Sequence, residues 1–132
     1  LAQIYAAGIR PDWWKLPPPM TAAAWASIGQ VIESADPYCQ GVLLLGLEAS
    51  EDRLWQGFRA SAGQPLCRGF AVGRSLFAHA AAGWFAGTLD DAAMVADIAA
   101  RYQRLIRLWC DSRRTVLVQQ HAPVDPPTEN IE

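Results

Sequence analysis

An α/β fold built from consecutive strand-helix units is the class this sequence predicts, and three observations predict it. The stretch "GVLLLGL" at residues 41–47 is a continuous apolar run bounded by glycine, the pattern of a strand buried on both faces of a parallel sheet. Short strand-like runs alternate three times with longer stretches at helical spacing, the order of parallel units joined by right-handed crossovers. The 132 residues, 52% hydrophobic and 18% charged, suffice for one core, so one domain is the upper limit.

The elements follow in order. "LAQIYAAGI" opens as an alanine-rich helical turn, and Gly8 suits its end. "DWWKL" at 12–16 is short, apolar and rich in strand-favouring tryptophan, and the prolines at 17–19 stop it because they cannot continue a ladder. Thr21 caps a helix over 22–34, whose Trp25, Ile28 and Ile32 recur at helical spacing. The glycine-bounded run at 41–47 is the second strand. Ser50, Glu51 and Asp52 begin the next helix at its dipole-favoured end, and Leu54, Trp55 and Phe58 form its apolar stripe. "LCRGFAVG" at 66–73 is the third strand. Thr88 and Asp91 resemble a capping box for a long last helix with Val95, Ile98, Tyr102, Leu105 and Trp109 on one face. Arg101, Arg104 and Arg107 fall largely off that face and read as solvated. The folded domain is expected to cover 1–114. From Thr115 onward, prolines and polar residues predict a loose tail over 115–132.

Composition excludes several functions. A net charge of −2 without a long basic run gives little attraction for nucleic acid or an anionic membrane. No apolar stretch is long enough to span a bilayer, and no basic-then-apolar leader opens the sequence. Cys39, Cys67 and Cys110 are odd in number and widely spaced, which suits reduced thiols in a cytoplasmic protein better than a disulfide framework or a zinc site. His79 and His121 stand without cysteine or carboxylate partners at ligand spacing, so no metal is expected. Nothing calls for an organic cofactor either.

Three parallel strands, each apolar on both faces, leave two sheet edges and much apolar surface uncovered. The first residues also lack an initiator methionine and a capping residue, so the sequence reads as a portion of something larger.

"PDWWKL", "GVLLLGLEASEDRLWQGFRASAG", "LCRGFAVGRSLF" and the long final helix resemble the last part of the lysine-dependent, class I aldolase barrels of the tagatose-bisphosphate aldolase type. Residues 1–112 resemble in particular the aldolase-like domain that follows the sugar kinase in bacterial 5-dehydro-2-deoxygluconokinase fusion proteins of myo-inositol breakdown. The resemblance implies the C-terminal part, about three strand-helix units, of a TIM (β/α)8 barrel, with these strands sixth, seventh and eighth. It implies action on a phosphorylated keto sugar or keto acid such as 2-deoxy-5-keto-gluconate 6-phosphate, and as partners the remainder of the barrel and a fused sugar kinase domain. A non-catalytic regulatory or oligomerisation domain for that kinase is the alternative of a different class. A kinase activity of this chain itself has no support, since no glycine-rich nucleotide loop is present.

Lys15 is the catalytic candidate. A neutral lysine amine condenses with a ketone to a Schiff base, whose iminium is an electron sink for breaking or making the adjacent carbon-carbon bond. On a strand Trp13 and Lys15 share one face and Trp14 and Leu16 the other, so packing of Trp14 under the helices would aim Lys15 into a barrel mouth at a strand's C-terminal end. The plain alternative is a lysine snorkelling from the strand end with its stem on Trp13. Gly46 closes the second strand, and Gly73 with Arg74 closes the third, where barrels commonly hold a phosphate on backbone N–H groups and a helix start. They are the candidate phosphate-binding residues, with the Arg74 side chain as a charged clamp. Otherwise the two glycines merely permit tight turns and Arg74 is solvated. Arg68 is the lesser candidate contact.

Overall fold

A computed structural model describes residues 1–46 and 49–120, with side chains through Arg114. Three strands, β1 (Trp13–Leu16), β2 (Gly41–Leu45) and β3 (Cys67–Ala71), form one parallel sheet in the order β1-β2-β3. Five helices accompany them among the described residues: α1 (Ala2–Ala6), α2 (Ala22–Ala35), α3 (Glu51–Ser61), α4 (Arg74–Phe85) and α5 (Asp91–Gln120). The α/β class and the three strand-helix units expected from the sequence are present. No closed barrel forms among the described residues.

Local chemistry sets the boundaries. Gly8 follows α1 with φ at 80°, the left-handed conformation that ends helices. The Thr21 hydroxyl accepts from the Ala24 N–H at 3.1 Å, and the Ser50 hydroxyl from the Arg53 N–H at 3.4 Å, so both expected caps operate. The last helix departs from expectation. Asp90 accepts from the Ala93 N–H at 2.7 Å and is its cap, whereas the Thr88 hydroxyl donates to the Gly83 carbonyl and the Asp91 carboxylate accepts from the Trp84 indole. α5 also continues through Gln120, six residues into the stretch expected to be loose, and the rest of that tail, 121–132, lies outside the described residues. Leu47, the expected end of the second strand, lies outside them too.

Strand parity divides the sheet. The register pairs Trp14 with Val42 and Val42 with Cys67, and Leu16 with Leu44 and Leu44 with Phe70, with an irregularity after Val42 and Cys67 that absorbs Arg68. Those six side chains share one face. They pack with Trp25 and Ile32 of α2, Leu54 and Phe58 of α3, Leu76 of α4 and Leu105 of α5 in a single core. Phe58 stands at its centre, 5.2 Å ring to ring from both Phe70 and Trp109.

The opposite face carries Trp13, Lys15, Leu43, Leu45, Gly69 and Ala71, and its apolar members neither belong to this core nor pack against it. Trp13 is 44% exposed. A parallel sheet ordinarily has both faces covered. Among the described residues the helices build their core on one side of the sheet.

Candidate functional site

The direction of Lys15 follows from Trp14. Trp14 is buried, its indole N–H donates to the Tyr5 hydroxyl at 2.8 Å, and the two rings meet edge to face at 5.4 Å. Turning β1 over would break that bond and expose the indole, so the next residue must point to the bare face. Lys15 does so, exposed, one residue before the C-terminal end of β1 and opposite Leu43 of β2. Among the described residues its ammonium group makes no hydrogen bond or ion pair.

Gly46 follows β2 and Gly73 follows β3, so both lie at the C-terminal edge that Lys15 approaches. Gly46 is buried. A Cβ there would come within 2.8 Å of Val72 Cγ1 and 3.3 Å of Ser75 Oγ, so the turn after β2 touches the segment leading into α4. Gly73 is exposed and its carbonyl accepts from the Leu76 and Phe77 N–H groups, which makes it the first residue of the α4 turn. Arg74, also exposed, opens that helix. The structure thus brings Gly46 and the α4 start together, and Lys15 approaches the same sheet edge from β1. Arg68 lies elsewhere: its side-chain stem crowds Gly41, at the N-terminal edge of the strands.

This difference between the glycines predicts different costs. Gly46→Ala forces a methyl onto Val72 and is expected to destabilise the fold by about 1–3 kcal/mol, measured by denaturant unfolding. At Gly73 the same methyl meets only the Phe77 ring edge at 3.4 Å, an ordinary contact, so substitution there should leave stability nearly unchanged.

Sequence reasoning missed a larger feature. An open cavity of about 490 Å³ lies where the first turns of α3 and α4 face the middle of α5. Arg104 and Arg107 are exposed and Arg101 half-buried, in keeping with the expected solvated face, and all three also line its wall together with Asp97, Glu51 and Ser75. Asp97, Arg101 and Arg104 fall at helical spacing and so are visible in the sequence, but the Glu51 partner of Arg104 is 53 residues away and is not. The hydrogen bond from Arg101 Nε at 2.7 Å, with the attraction of its guanidinium, holds the Asp97 carboxyl below the usual carboxylate range. Two smaller cavities, of about 320 and 280 Å³, lie beside Trp25 and beside Gly46. Lys15 lines none of the three.

Other chemistry is sparse. Among the described residues no group of three or more His, Cys, Asp and Glu side chains could hold a metal, and no helix is long and apolar enough to cross a membrane. Burial pushes the Cys67 thiol up, so it packs as an apolar group and is a poor nucleophile.

A family model described as "Uncharacterized protein conserved in bacteria (DUF2090)" matches residues 1–113, and the chain belongs to that family. No curated protein and no solved structure matches it.

Proposed function

For this member of the family we propose an aldolase-like role: the chain forms the C-terminal part of a (β/α)8 barrel whose Lys15 condenses with a phosphorylated keto sugar or keto acid. The observation that carries the reading is the placement of Lys15. Three parallel strands run in sequence order, their helices cover one face, and the chain's lysine stands near the strands' C-terminal end on the other face. That is how a barrel wall is built, and the mouth of a barrel is where its chemistry occurs. The resemblance of "PDWWKL" and "LCRGFAVGRSLF" to class I aldolases adds the reaction type and, by the company such domains keep, 2-deoxy-5-keto-gluconate 6-phosphate as substrate.

The Lys15 amine adds to the ketone carbon, and the carbinolamine loses water to give an iminium. A base on another strand takes the proton of the hydroxyl on the far carbon of the breaking bond. The electron pair of that carbon-carbon bond flows into the iminium, releasing an aldehyde and leaving an enamine. Protonation and hydrolysis of the enamine return the free lysine and the second carbonyl product. The substrate phosphate rests on backbone N–H groups at Gly46, Gly73 and Arg74, with the Arg74 guanidinium as clamp.

Reductive trapping at Lys15 tests the catalytic role, and the glycine turn tests the phosphate role. Gly73→Val should weaken binding of the phosphorylated substrate about tenfold or more while barely changing an unphosphorylated analogue, since the branched side chain blocks backbone approach to phosphate. Equal loss for both ligands in a titration would show that the turn, not the phosphate, was disturbed. Arg74→Ala should act in the same direction.

One observation favours a second reading. Lys15 is exposed and lines none of the three cavities described, as a lysine without a catalytic task would be. Under that reading the domain is a non-catalytic regulatory or oligomerisation partner of a fused sugar kinase. Absence of a trapped adduct separates the two.

A further inference from the structure

The 490 Å³ cavity has the size of a small-molecule site and an amphipathic lining. Leu54, Leu76 and Leu105 give it apolar surface, and its charged wall holds three guanidiniums against two carboxylates. The three arginines are not equivalent. Arg101 is committed: its Nε donates to Asp97, and its terminal nitrogen lies 3.3 Å from His79 Nδ1. Arg104 is tied to Glu51 at 2.9 Å, but both side chains are exposed, and ion pairs of that kind are worth little and exchange readily. Arg107 has no ion pair among the described residues. In the wall, the Ser75 hydroxyl is shielded from solvent without a hydrogen-bond partner, an unusual condition for a buried polar group.

We propose that this cavity binds a small organic phosphate monoester, at a site separate from the Lys15 face. Arg104 and Arg107 are three residues apart on α5 and therefore neighbours on its surface. A dianionic phosphate that displaces Glu51 from Arg104 gains two guanidinium forks and can accept from the Ser75 hydroxyl. A monoanionic carboxylate would be neutralised by Arg107 alone and gives no reason for the second arginine to change partner. The apolar surface and the volume call for an organic body attached to the phosphate, since a bare phosphate leaves most of the space empty. The proposal does not rest on the aldolase reading, because none of its residues takes part in that chemistry.

The test is a titration of the natural full-length protein with glycerol 3-phosphate, with glycerol and sodium chloride at matched ionic strength as controls, followed by the arginine Nε–H resonances and by calorimetry. The phosphate is expected to shift the Arg104 and Arg107 signals and the controls to leave them in place. Arg107→Gln should weaken binding about tenfold. Glu51→Gln should strengthen it several-fold, because it releases Arg104 from its competitor, whereas a cluster that merely ties α5 to α3 would show no gain. Lys15→Met should leave the titration unchanged, so failure of the Schiff-base role and failure of this site are distinguishable. Equal responses to phosphate and chloride, or weaker binding in Glu51→Gln, would overturn the proposal.

Discussion

Borohydride added to the natural full-length protein together with a phosphorylated ketone is expected to leave a stable secondary amine on Lys15. The assignment is direct within this chain, because Lys15 is its only lysine. Condensation converts the amine and the ketone to an iminium, hydride reduces the iminium carbon, and the added mass stays on the peptide that contains "DWWKL". Lys15→Met removes the nucleophile and should lower aldol cleavage by at least about 10³-fold, as loss of a covalent catalyst does. The same substitution should change stability by no more than about 0.5 kcal/mol, since the side chain is exposed and partnerless among the described residues. That pairing of outcomes matters, because a large loss of activity with unchanged unfolding is the mark of chemistry removed and not of a fold disturbed. Mass spectrometry that finds the adduct on another lysine of the protein, or on none, would falsify the Schiff-base role.

The features of this fold that were legible in the sequence are those set by neighbours along the chain. Thr21 and Ser50 announce their helices because a cap acts across three residues. The parity of β1 was readable as well, since alternation across a strand needs only four residues, and Trp14 turned out to be the buried member. The helix α4 was visible only as a helix start after Gly73, because its buried side is narrow: Leu76 and Ala80 are buried while Phe77 and Phe85 are exposed. Such a sequence carries little period. The stripe expected along α5 is likewise buried only in part. Leu105 is in the core, but Val95 is exposed, and Tyr102 is exposed as well although its ring meets Phe70 of β3 at 6.3 Å. The arginine-lined cavity was not legible at all, since it depends on α3 and α5 meeting across a long separation. Arg101, Arg104 and Arg107 look the same in a sequence whether they face water or a shared cleft.

The bare side of the sheet leads to the other large expected effect. Leu43 and Leu45 alternate with Val42 and Leu44 along β2, yet only Val42 and Leu44 are fully buried. Leu44→Ala should therefore cost about 2–5 kcal/mol of stability, the usual loss for a leucine truncated inside a packed core. Leu43→Ala should cost about 1 kcal/mol or less in the 132-residue chain taken alone, because Leu43 is only half-buried and lies outside the core. β1 and β3 are both edge strands in this sheet, so the same chain also offers unpaired backbone on two sides of an apolar surface. At about 25 cal/mol per Å² of apolar area, covering such a face is worth several kcal/mol, comparable with the whole margin of a small domain. The isolated chain is accordingly expected to self-associate, face to face or edge to edge, and Leu43→Lys with Leu45→Lys should return it to monomers in sedimentation without loss of helical signal. Within a closed barrel the same pair of lysines would sit in the dry interior and abolish folding. A 132-residue chain that sediments as a compact monomer and unfolds cooperatively, with Leu43 and Leu44 equally sensitive to truncation, would mean that both faces are covered, and would remove the physical ground for placing Lys15 in a barrel mouth.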